Sequence, residues 1–155
     1  MTGSDDTESR IRAFIDRFTP EIATRAYACR AALRARLPSA FELVYDNYQA
    51  LAIGYGSSER QKDIVLSLAL YPRVVRLFFY YGVTLPDPTG RLSGEGNQVR
   101  HVLLEGPETL AEPVVEALIS AALARADRPM PAGEAGASII KSISAKQRPR
   151  RPGEA

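Results

Sequence analysis

Between Phe41 and Leu104 the chain alternates short apolar, aromatic-rich runs with turn residues, and no other stretch restricts its fold as much. The spacing predicts strands at 41–46, 49–55, 63–71, 74–81 and 99–104. Asp46-Asn47-Tyr48 supplies a tight connection, 56–61 a polar hairpin loop, and Pro72 a break. The fourth run is apolar on both faces except at Arg76, which places it centrally, covered by helices on at least one side. Before the fifth run, Gly82 to Gln98 forms a long excursion rich in Gly and Pro. Loops of that length without their own structure are often functional.

Helical patterns flank this block. Ile11, Phe14, Ile15 and Phe18 fall on one face of a helix that begins near Ser9. Thr19-Pro20 then reads as an N-cap followed by proline at the first helical position. The second helix turns Ile22, Ala26, Cys29 and Leu33 inward, and Pro38 stops it. Glu112-Pro113 opens a last helix through Ala126, with Val114, Val115, Leu118, Ile119 and Ala122 toward the sheet. Residues 1–8 are expected to be disordered, 9–126 to form one α+β domain, and 127–155 to be a Pro/Gly-rich linker and basic tail. The expected architecture is a two-layer sandwich: an antiparallel sheet of about five strands covered by the N- and C-terminal helices.

A chain of 155 residues can bury about 70% of its unfolded surface, enough for an ordinary core. The single cysteine, Cys29, rules out an intrachain disulfide, and its place on the buried stripe makes it a core residue. The acidic start, Asp5-Asp6, does not read as a signal peptide, and no apolar run approaches the roughly 20 residues of a membrane span. A cytoplasmic location without membrane contact is expected. The net charge of +2 hides a gradient, with acid at the N-terminus and base at the C-terminus in Lys141, Lys146, Arg148, Arg150 and Arg151.

No catalytic constellation emerges, so a binding role is expected in preference to an enzyme. His101 is the only histidine; with one Cys beside it in the whole chain, a zinc site of the usual N/S type is excluded, and neither a metal nor a cofactor is expected. The glycine loop ending in Gly94-Glu95-Gly96-Asn97-Gln98-Val99-Arg100 offers backbone N–H groups. Glu95 charges that cradle negatively, and no Gly-Lys-Ser/Thr follows it, so a turn with glycines at positive φ is the better reading. The candidate ligand set is Glu42, Tyr45, Arg73, Arg76 and Arg100, with Tyr48 near it. Strand alternation puts Glu42, Val44 and Asp46 on one face and Tyr45 with Phe41 and Leu43 on the other, so these residues cannot all converge. A buried Glu–Arg pair tying strand to strand is the structural alternative. The basic tail is the one place where nucleic acid could bind, through phosphate contacts. Pro149 and Pro152 interrupt it, no aromatic accompanies it, and the apolar Ile139, Ile140 and Ile143 before it allow a fold back onto the domain.

Several dispersed segments resemble the YdhG-like domain family of bacterial proteins. They are Glu42-Leu43-Val44-Tyr45-Asp46-Asn47-Tyr48, Leu68-Ala69-Leu70-Tyr71-Pro72-Arg73, Leu77-Phe78-Phe79, the loop from Gly94 to Arg100, and Ile140 to Pro152. The resemblance covers roughly residues 20–152 and implies a frataxin-like sandwich. It also implies, as an alternative function, an intracellular iron chaperone; the second helix exposes arginines where a cation site would need carboxylates. The expectation from the residues is a non-enzymatic module that binds a small anionic ligand or an acidic protein partner.

Overall fold

The computed structural model describes residues 3–133 and 136–154. Helices α1 (Gly3–Asp16) and α2 (Pro20–Arg36) lead into strands β1 (Phe41–Asp46), β2 (Leu51–Gly56), β3 (Ile64–Leu70), β4 (Val75–Phe79) and β5 (Arg100–Leu104). Helices α3 (Pro107–Ala111) and α4 (Pro113–Arg125) follow, and the chain closes with β6 (Ser138–Ile143). The five expected strands form close to their expected bounds. The sheet, however, has six strands in the order β5-β4-β3-β2-β1-β6, and β6 runs parallel to β1 while every other pair is antiparallel. The expectation of an all-antiparallel, five-stranded sheet is corrected to a mixed, six-stranded one.

The helices form where their signals stand. Thr19 Oγ1 accepts the Ile22 N–H at 3.2 Å and Pro20 takes the first turn of α2. Ile22, Ala26, Cys29 and Leu33 are buried, as their spacing requires. Burial raises the Cys29 thiol to about 11, consistent with an inert core residue. Helix α1 reaches back to Gly3, so residues 3–8, expected to be disordered, are helical; Met1 and Thr2 lie outside the described residues. The reason is an anchor within that turn: Glu8 is bound by Arg30 of α2.

One apolar cluster joins all four helices to a single sheet face. Register carries this face across the strands in rows, such as Val44–Ile53–Leu68–Leu77–Val102. The most covered strand is β3, buried at every position, whereas β4, expected to be central, lies one strand from the edge and alternates. Of 127–155, expected to be linker and tail, the described residues include the strand β6, while residues 134, 135 and 155 lie outside the described residues. Gly136 enters beside Ala40, where an added Cβ would collide with the Ala40 carbonyl oxygen. The Glu42 N–H then reaches Ala137 O at 2.9 Å and the Ser144 N–H reaches Asp46 O at 2.9 Å, seating β6 along β1. The chain passes from β5 at one edge of the sheet to β6 at the other through α3 and α4. Among the described residues, no helix is long and apolar enough to cross a membrane.

Candidate functional site

Strand β1 turns two carboxylates, Glu42 and Asp46, toward the helices, one near each end. Each is met by arginine, with different outcomes.

Glu42 is 2% exposed and fully occupied. Arg30 from α2 donates to it through Nε (2.9 Å to Oε2) and Nη2 (2.9 Å to Oε1). Tyr55 Oη donates at 2.8 Å and Ser138 Oγ at 2.7 Å, so β2 and β6 join the same carboxylate. Arg30 also forks onto Glu8 at 2.7 and 2.8 Å, which brings in α1. Burial alone would raise the Glu42 pKa, but the Arg30 hydrogen bonds and charge, with Ser138 and Tyr55, outweigh it and hold the carboxyl below its ordinary value. Burial and the adjacent Glu42 charge push the Tyr55 phenol well above its usual range. This is a buried Glu–Arg pair, but it ties a helix to a strand, not strand to strand. Donors from α2, β2 and β6 fill the Glu42 carboxylate, which makes it a structural joint.

The other members of the expected ligand set are dispersed. Register places Glu42 and Arg100 in one helix-facing row, Glu42–Tyr55–Leu66–Phe79–Arg100, but four strand spacings apart, about 19 Å. Tyr45 and Arg76 share a row on the opposite face, Tyr45–Ala52–Ala69–Arg76–Leu103, three strands apart. There the Arg76 guanidinium lies 4.9 Å from the centre of the Tyr71 ring. Arg73 is exposed in the β3–β4 turn, and Tyr48 is exposed in the β1–β2 turn. Arg100 Nη1 donates to Gly96 O at 2.6 Å and Val99 O at 2.8 Å, so its fork closes its own loop. Gly90 and Gly94 of that loop have φ of 67° and 133°, the turn role expected of its glycines, while Gly96 is not at positive φ. His101 packs its ring 5.1 Å from that of Phe78 on the face away from the helices; burial and the Arg76 charge lower its pKa.

The residues brought together are those of the basic tail. Beyond β6 the chain folds against the β1–β2 turn and the end of α1. Arg148 N–H donates to Tyr48 O at 2.9 Å, and its side chain reaches Gln49 at 3.2 Å. Arg150, 2% exposed, donates through Nη2 to Asp46 Oδ1 at 2.8 Å and Asn47 O at 2.6 Å. Gln147 Nε2 and Arg17 Nη1 take Asp46 Oδ2 at 2.9 and 3.4 Å, and Arg151 Nε holds Arg17 O at 3.0 Å. These contacts border an open cleft of about 640 Å³ lined by Arg17, Gln147, Arg148, Arg150, Arg151 and Glu154 together with Pro149. Lys141 and Lys146 are not among the residues that line the cleft; Lys146 is exposed, and Lys141 Nζ donates to Glu59 O at 3.0 Å.

Arg17 and Asp46 were not foreseen as site residues. A signal for Asp46 was present: alternation puts it on the buried face with Glu42, and a buried carboxylate requires a partner. Nothing local to Arg17 distinguishes it from the other arginines. Compared with protein-family models, with curated proteins and with solved structures, the chain has no match.

Proposed function

We propose that this chain is a non-enzymatic binding module for an anionic small molecule or an acidic protein partner, engaged at the arginine cleft. The carrying observation is a local excess of cationic side chains over carboxylates. Several arginines elsewhere sit on carboxylates, Arg30 on Glu42 and Glu8, Arg36 on Glu116, and Arg91 on Glu112, while Arg76 and Arg100 stand singly on a ring and on loop carbonyls. The cleft gathers four arginines, while Asp46 beneath it and Glu154 at its rim are the carboxylates in contact with them. Arginine's planar, permanently charged fork suits oxyanions. In the same proposal the chain is a cytoplasmic, YdhG-like domain with a frataxin-like sandwich; the helices gathered on one sheet face support that reading of the fold.

The test is a thermal-shift and calorimetry screen of anionic metabolites and acidic peptides against the wild type and Arg148→Glu/Arg151→Glu. Binding that weakens with salt and disappears in the double variant is expected; binding unaffected by the charge reversal would refute the location. For the iron-chaperone alternative, among the described residues no group of three or more His, Cys, Asp or Glu is placed to hold a metal. Calorimetric titration with ferrous iron is expected to give no saturable heat, and a defined stoichiometry at micromolar affinity would replace the anion reading.

A further inference from the structure

We infer that the ligand of this cleft is a phosphate monoester or diphosphate group carried by a small molecule. The inference rests on the proposed anion-binding role and specifies its chemistry.

Three features of the cleft select that group. The first is a cation already held in place: Arg150 lines the cleft and is almost wholly buried. Its Nη2 is fixed by Asp46 and Asn47, so the guanidinium is locked before any ligand arrives. A guanidinium fixed in this way presents its positive charge to an oxyanion without having to be ordered on binding. The second is charge. The cleft holds four guanidinium groups against two carboxylates, Asp46, which meets Arg150 and Arg17, and Glu154, which accepts the Arg151 backbone N–H; the excess of two positive charges matches a dianion better than a single carboxylate. A phosphoryl group near neutral pH carries close to two charges and presents three terminal oxygens, enough to engage several forks together. The third is the lining, which contains guanidinium, amide and carboxylate groups with one proline and no aromatic ring. Stacking platforms are what single-stranded nucleic acid sites use, so recognition here runs through the charged group and not through bases. The volume is in the range of small-molecule sites, larger than a lone phosphate needs.

The experiment is isothermal titration of the full chain at low salt with four probes: inorganic phosphate, pyrophosphate, succinate and a poly-glutamate peptide. A single-stranded oligonucleotide is added as a fifth. The expected result is saturable binding of pyrophosphate and phosphate, with succinate, the peptide and the oligonucleotide each about tenfold weaker or worse. Arg148→Gln should weaken pyrophosphate about tenfold while the circular-dichroism melt stays unchanged, and Arg151→Gln, which also loses its bonds to the Arg17 and Asp16 carbonyls, should weaken it at least as much. Because Arg150→Gln can fail to fold, Arg17→Lys is the additional variant: it keeps the charge, removes the fork, and should also weaken pyrophosphate. Equal or tighter binding of succinate or poly-glutamate overturns the phosphoryl assignment and leaves the anion-binding role standing. Tight oligonucleotide binding overturns the small-molecule assignment. No binding of any probe overturns both.

Discussion

Glu42 and Asp46 stand four residues apart on the same face of one strand, both nearly inaccessible and both paired with arginine, yet they belong to different kinds of site. Around Glu42 the donors come from α2, β2 and β6 and saturate the carboxylate, while Arg30 spends its remaining fork on Glu8. Around Asp46 the arginines outnumber the acids, one buried N–H lacks an acceptor, and the surface is open as a cleft. What separates a joint from a binding site here is not the residue types, which are the same. It is whether the local count of donors and acceptors closes.

The strongest break of that comparison is Glu42→Ala. It leaves Arg30 buried against Glu8 alone and should cost about 3–5 kcal/mol in urea unfolding, the range for orphaning one partner of a buried pair. A loss near zero would mean that the network adds nothing. Asp46→Ala should cost a similar amount, but with a difference: Arg150 lines an open cleft, so added pyrophosphate should restore part of the loss. At about 100 times the dissociation constant the recovery would approach about 2.7 kcal/mol. Glu42→Ala should recover only as much as the wild type gains from the same ligand, and equal excess recovery in both variants would erase the distinction drawn between them.

Gly136→Ala tests whether β6 is part of the domain. Its Cβ meets the Ala40 carbonyl, so overpacking of about 1–3 kcal/mol is expected, with weaker pyrophosphate binding because the residues behind β6 carry the cleft. Acid sensitivity gives a smaller effect. Arg30 holds both Glu8 and Glu42 below their ordinary values, so their contribution is fully present above the unfolded carboxylate range, near about 4.3, and is lost as pH falls through the lower folded values. Glu42→Gln should therefore show a flatter fall in stability on the acid side than the wild type. Smallest of all should be the stability change in Arg148→Ala, an exposed residue, at within about 0.5 kcal/mol.

Much of the fold was legible in the chain. Pro38, Pro72 and the turn residues delimit five strands, and Thr19-Pro20 starts α2 where its cap forms. These features are local: a proline, a cap or a two-residue period acts within one element. Strand parity also separated Glu42 from Tyr45, whereas the distance between Tyr45 and Arg76, which share a face, comes from the strand order. The strand β6 was not legible. Ser138–Ile143 has three isoleucines but half of its positions face solvent, so its alternation is weak, and a parallel edge strand gains its hydrogen bonds only from a neighbour almost a hundred residues away.

Determined by the sequence itself, then, were the strand block, the inward faces of α2 and α4, and the absence of convergence among the candidate strand residues. The tertiary structure decided which charges meet. An arginine's long side chain can choose among several carboxylates at little local cost, and burial makes that choice decisive by removing water as the competing partner. Glu42 therefore went to Arg30, Arg100 to its own loop, and Arg150 to Asp46. The cleft exists because a segment with no strong local preference was drawn back by β6, placing three arginines of the C-terminus beside one from the end of α1.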